Sequence, residues 1–184
     1  MNGSKQEALA LENGERLIRI AHFIKTDRLR GDVERLWRDF GDFVEAACIH
    51  SISWQKSHRA FCDEAFILKH DTDHQAEYIR NKIANGSKFY MLCDKQSMAV
   101  VSITDGLIED LYVMPELQRQ GDGTALLDYV ITLICREGIT PTLWILENNR
   151  EAERLYRRKG VVPSGKQNAI TGKLSEIEFL YKGI

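Results

Sequence analysis

Residues 108–127 read IEDLYVMPELQRQGDGTALL and carry two features able to do chemistry. The first is a pair of glycines, Gly121 and Gly123, placed where an apolar strand gives way to an apolar helix. Glycine lets a ligand come close to the main chain, and the first turn of a helix offers unpaired N–H groups at the positive end of its dipole. Such a turn binds phosphate or pyrophosphate. A tight turn ahead of any helix asks for the same residues, so the glycines alone leave both readings open. The second feature is the carboxylate pair Glu109 and Asp110, which a regular strand would point to opposite faces, one of them toward an adjoining cleft.

Other residue groups carry weaker chemistry. There is no GxxxxGK[ST] and no third glycine followed by an acid about 20 positions on, which sets aside two familiar phosphate loops. His70 and His74 have the i, i+4 spacing of a zinc pair, but His70 falls before the helix start that the sequence marks, and no metal is expected. The basic run RLYRRKG (154–160) suits the negative end of a helix dipole without any ligand, although it could also meet a phosphate. Tyr156 lies on an apolar helical stripe with Ala152 and Leu155, where packing alone would account for it. Trp37, Phe40 and Phe43 follow helical spacing and read as packing residues.

These residues need elements to hold them. RLIRIAHF (16–23) alternates as a first strand, and residues 26–48 follow with helical spacing, Leu29, Val33, Leu36, Trp37, Phe40 and Val44 forming one stripe. Residues 49–70 are ambiguous; a helix then opens on Thr72 and Gln75, spaced as a capping box, and closes on Asn85-Gly86. KFYMLCD, SMAVVSIT and LIEDLYV are short strands separated by turn residues, an antiparallel meander. A helix over 123–137, a buried strand over 140–147, a helix over 148–160 and a last strand from Glu176 complete the order. Pro115, Pro141 and Pro163 all fall at strand margins. The sum is an α/β (α+β) fold, a central mixed and mostly antiparallel sheet flanked by helices, with residues 1–15 as a flexible tail and 16–184 as a single domain.

Composition narrows the partners. With 25 basic and 27 acidic residues the net charge is −2, which exerts no overall pull toward nucleic acid or an anionic membrane. No run of about 18 apolar residues and no leader pattern occur, so a cytoplasmic protein is expected. Cys48, Cys62, Cys93 and Cys135 have no CxxC spacing and read as reduced core thiols.

Two stretches together, LYVMPELQRQGDGTALL and LWILENNREAERLYRRKGV, resemble the GNAT superfamily of acetyl-coenzyme A dependent N-acetyltransferases. Gln118-Arg119-Gln120-Gly121-Asp122-Gly123 is similar to its Q/R-x-x-G-x-G/A pyrophosphate motif, and Asn149, Ala152, Tyr156 and Gly160 match N-x-x-A-x-x-x-Y-x-x-x-G in its next strand and helix. The resemblance is sharp over 106–161, whereas residues 26–86, where members shape their acceptor sites, match nothing specific.

The resemblance implies acetyl-CoA as cosubstrate, bound by Leu111, Tyr112 and Val113, by residues Gln118, Arg119, Gln120, Gly121, Asp122, Gly123 and Thr124, and by Asn149 and Ala152. It implies a small-molecule or peptide amine as acceptor, attacking directly in a ternary complex, and leaves a homodimer open. It makes Tyr156 the acid that protonates the departing thiolate, a task a phenol of pKa about 10 can perform for a thiol near 8.5. IEDLYVMPE is similar to the matching stretch of polyamine acetyltransferases, where the glutamate corresponding to Glu109 binds the amine and helps deprotonate it through water. A backbone N–H where this strand splays, around Leu111 to Val113, would polarise the carbonyl. Asp122 departs from the motif: it is expected to point to solvent and help cap the helix, the alternative being a decayed site. With it goes an alternative function, a non-catalytic acyl-CoA-binding or regulatory module on the same fold.

Overall fold

The computed structural model describes residues 19–23, 41–60, 62–93, 97–171 and 174–183. Its strands are β1 (Arg19–Phe23), β2 (Lys88–Cys93), β3 (Ser97–Thr104), β4 (Leu107–Val113), β5 (Thr142–Leu146), β6 (Val161–Thr171) and β7 (Leu174–Tyr181), in the sheet order β1-β2-β3-β4-β5-β7-β6. The helices among the described residues are α1 (Gly41–His58), α2 (Glu64–Leu68), α3 (Thr72–Ala84), α4 (Asp122–Arg136) and α5 (Arg150–Arg158), with a 3-10 turn at Pro115–Leu117. The sheet is mixed: β1 with β2, β5 with β7 and β6 with β7 are antiparallel, and β4 with β5 is parallel. The architecture is an α/β fold, a mixed sheet flanked by helices. The chain divides into two compact units, residues 1–102 with 110–126, and residues 103–109 with 127–184.

In the first unit α1 buries Phe43, Ala46, Ala47, Ile49, His50 and Ser53. Ala46 and Ile49 pack with Met91 of β2 and Val100 of β3, and Phe43 and Ala47 with Ala76 and Ile79 of α3 and Phe89 of β2. This helix differs from the expected one. It continues ten residues past Cys48, and Val44, placed on the expected core stripe, is 49% exposed. The buried stripe runs through alanines, a histidine and a serine, which a search for large apolar residues passes over. The remainder of the expected helix, residues 26–40, and with it Leu29, Val33, Leu36, Trp37 and Phe40, lies outside the described residues. Helix α3 begins one position earlier in its capping than expected: Asp71 is the N-cap, its carboxylate accepting from the His74 N–H at 2.9 Å, so Thr72 opens the helix instead of capping it.

In the second unit the turn between β3 and β4, Asp105-Gly106, has positive φ at both residues (48° and 86°), as a two-residue hairpin demands. A Cβ on Gly106 would stand 2.4 Å from Ile139 Cγ2, so glycine there also answers close packing. β5 alternates between half-buried and buried residues, Leu143 and Ile145 facing inward. Strand β6 was not expected. Its residues 165–170 are exposed and polar-rich, its register with β7 shifts between Pro163 and Gln167 and again between Ala169 and Thr171, and Pro163 lies inside it, not at a margin. β6 is an edge strand, where a missing N–H is tolerated and alternation is not enforced.

The cysteines are only partly core thiols. Cys48 and Cys62 are half-buried and Cys135, near the end of α4, is exposed.

Candidate functional site

After β4 the chain runs through the 3-10 turn into α4. Met114 donates its N–H to the Met98 carbonyl (2.8 Å), and Gln118 Nε2 donates to the Val113 carbonyl (3.3 Å). Gln118, Arg119, Gln120 and Gly121 are exposed, and Arg119 (φ 66°) and Gly121 (φ 96°) are left-handed. The Ala125 N–H is paired to the Gly121 carbonyl at 2.9 Å, and residues 122–124 form the first turn of the helix.

The two glycines have different surroundings. A Cβ on Gly121 would meet nothing within 4 Å, so the space above this backbone is open and the left-handed φ is what calls for glycine. A Cβ on Gly123 would sit 3.1 Å from Val113 Cγ2, so this glycine allows a close fit of helix against strand. Thr124 beside it is half-buried. Asp122 contradicts its expected position: it is 3% exposed. As the first residue of α4 it shares a helix face with Leu126, which is fully buried, and that face turns inward.

On β4 the expected alternation breaks. The Thr104 hydroxyl donates to Glu109 (3.0 Å) and the Ser102 hydroxyl to Asp110 (2.8 Å). Ser102 and Thr104 are two apart on β3 and share a face, so the neighbouring carboxylates both reach that face. The cause is local: Asp110 has φ 52°, a left-handed residue within a strand. Such a conformation costs on the order of 1–2 kcal/mol, and aspartate tolerates it better than most residues.

Asp110 is the centre of a polar cluster that sequence reasoning did not assemble. Its carboxylate accepts from Lys82 Nζ (2.9 Å) and Tyr78 OH (3.2 Å) on α3, Ser102 Oγ (2.8 Å) on β3 and His50 Nε2 (3.2 Å) on α1. Burial works to raise the Asp110 carboxyl, and hydrogen bonds and charge from His50 and Lys82 more than reverse it, holding it well below the usual carboxylate range. His50 is 2% exposed; its Nδ1 is buried without a hydrogen-bond partner among the described residues, and its ring meets Tyr112 edge-on at 4.8 Å. Tyr112 itself is half-buried against the Ala46, Ile49, Met91 and Val100 cluster. Leu111 and Val113 are half-buried, and the Val113 carbonyl also accepts from Ser53 Oγ at 3.1 Å. His50, Tyr78 and Lys82 lie 60, 32 and 28 residues from Asp110 in the chain, and nothing in their local sequence signals the meeting.

In the second unit Asn149 is the N-cap of α5, its side-chain oxygen accepting from the Ala152 N–H at 3.1 Å. Tyr156, one turn further along α5, is 8% exposed, with its ring centre 6.5 Å from that of Phe179 on β7. Burial pushes its phenol up to about 12. Three of the basic residues around it are engaged within the unit: Arg157 and Arg150 pair with Glu153 (3.0 and 2.9 Å), and Lys159 with Asp128 (2.6 Å).

His70 stacks on Trp54 (3.7 Å between ring centres) and its Nδ1 donates to the Phe66 carbonyl (3.0 Å), while the His74 ring stands edge-on to it at 4.8 Å. Among the described residues no three metal-ligating side chains converge, and no helix is long and apolar enough to cross a membrane.

The Acetyltransferase (GNAT) family model matches residues 33–161 of the chain. In fold the chain is similar to the PaiA N-acetyltransferase of Thermoplasma acidophilum, solved in complex with coenzyme A, at 19% identity and a TM-score of 0.57 over 89% of this chain and 99% of that one. It is also similar to the apo form of YjaB from Escherichia coli, at 14% identity and a TM-score of 0.63 over 91% of this chain and 99% of that one. Among curated proteins nothing matches the sequence.

Proposed function

Because the chain belongs to the GNAT acetyltransferase family, we propose that it moves an acetyl group from acetyl-CoA to a primary amine by direct attack in a ternary complex. The observation that carries this reading is the turn before α4, exposed over residues 118–121 and open above Gly121, leading into a helix N-terminus. That turn would hold the pyrophosphate of the cosubstrate through backbone N–H groups. Asp122, the residue that speaks for a non-catalytic module, is turned into the protein and leaves the exposed part of the turn without a carboxylate.

Backbone N–H groups around Leu111 to Val113 would stabilise charge on the acetyl oxygen, Glu109 would help take a proton from the amine through water, and Tyr156 would supply one to the departing thiolate. Calorimetry with acetyl-CoA tests the first requirement: binding to the folded protein is expected, and its absence would remove the enzyme reading. A panel of polyamines, aminoglycosides, amino acids, peptide N-termini and lysine peptides then identifies the acceptor.

A further inference from the structure

Asp110 stands immediately before the backbone to which the acetyl-transfer reading assigns the polarisation of the acetyl group. It is left-handed inside a strand, and four side chains from α1, α3 and β3 converge on its carboxylate. Within that cluster Lys82 balances its charge, and the Ser102 hydroxyl, fully buried, also accepts from Lys82 Nζ at 3.3 Å. The carboxylate therefore has partners within the protein on both oxygens. A group so engaged is poorly placed to bind an amine or take its proton. What it can do is hold φ against relaxation, because any rotation of the Asp110 backbone toward the ordinary strand region would pull the carboxylate off several donors at once. Just downstream, the Val113 carbonyl is taken by the side chains of Ser53 and Gln118, so the end of β4 is fixed by side-chain anchors on either side of residues 111–112.

We propose that Asp110 is a positioning residue: the clamp formed by His50, Tyr78, Lys82 and Ser102 fixes the left-handed break in β4 and so sets the direction of the Leu111 to Val113 backbone for catalysis. The proposal rests on the acetyl-transfer reading for its kinetic consequence, and on the structure alone for the backbone it fixes.

Three variants of the full chain separate clamp from conformation. Asp110→Gly adopts positive φ freely but has no carboxylate; Asp110→Ala lacks both; Asp110→Asn keeps an acceptor oxygen and tolerates the left-handed region. With the amine identified by the panel, kcat is expected to fall about 10²-fold in the Gly and Ala variants, the scale of a misplacement of about 1 Å. The acetyl-CoA Kd, read by calorimetry, is expected to stay close to wild type in both, and Asn is expected to recover most of kcat. Wild-type kcat in Asp110→Gly would overturn the proposal, as would parallel loss of kcat and acetyl-CoA binding, which marks a merely structural role. Amide exchange of the 109–114 segment needs no acceptor. It is expected to quicken in Asp110→Gly relative to wild type, and unchanged exchange would overturn the clamp even if wild-type protein acetylated nothing. Absence of turnover in the wild type with quickened exchange in the variant would sink the acetyl-transfer reading and leave the clamp standing.

Discussion

At the scale of single residues, burial and charge set what each group can do. Tyr156, with its phenol raised to about 12 by burial, stays protonated through the neutral range and well above it. Under the proposed function it would be the acid toward the departing thiolate, and the burial that raises it makes it a weaker acid than a free phenol. Tyr156→Phe is expected to lower kcat about 10²-fold with little change in acetyl-CoA affinity, and to leave any alkaline limb of the pH–rate profile below pH ~10 in place. A limb that vanished with the hydroxyl would reassign it. Asp110 works in the opposite direction. Its folded carboxyl lies below the unfolded value of about 3.9, so its contribution to stability is fully present above that pH and is lost as pH falls through the depressed folded value. Urea unfolding of wild type and Asp110→Asn is expected to give a stability difference that is constant from neutral pH to about pH 5 and shrinks below pH ~4. Lys82→Met, which leaves the half-buried carboxylate without its cation, is expected to cost about 2 kcal/mol, less than a fully buried broken pair because both partners keep some exposure and His50 remains. Tyr156 and Gly121 were singled out in the sequence because type and spacing within about one turn mark them. His50 and Lys82 were not, since their role exists only where α1 and α3 bring them to β4.

At the scale of elements, the strands that alternate and the helices with marked ends were the readable ones. β2, β3 and β4 follow their apolar runs, and α5 begins at Asn149 and stops near Gly160 as its cap and glycine require. α1 misled because its buried face is built from small and polar residues, and β6 because an exposed edge strand with two register shifts has no pattern to enforce. The element boundary that matters most is the turn into α4. Gly121→Val is expected to abolish acetyl-CoA binding while the fold persists, since the side chain meets open space but fills the approach to the backbone and strains a left-handed φ. Gly123→Val is expected to lower the melting temperature more than the first variant, because its Cβ meets Val113. Calorimetry and thermal unfolding on the two proteins check both, and equal effects would mean that the glycines share one task.

At the scale of the molecule, the sheet order with a parallel β4–β5 pair inside an otherwise antiparallel set of registered pairs, together with the family match over residues 33–161, makes this an acetyltransferase fold. The sequence motifs lie one on the turn from β4 to α4 and one along α5. The acceptor was not legible because residues 26–86 match no specific pattern, and residues 24–40 lie outside the described structure. The net charge of −2 excludes no amine. The central claim is that the chain transfers acetyl groups to amines, and the most direct test is thiol release from acetyl-CoA across the amine panel, with the product checked by mass spectrometry. Release is expected to depend on at least one amine class and to yield the acetylated amine. Release no faster than the amine-free rate for every class, from protein shown to be folded, would contradict it.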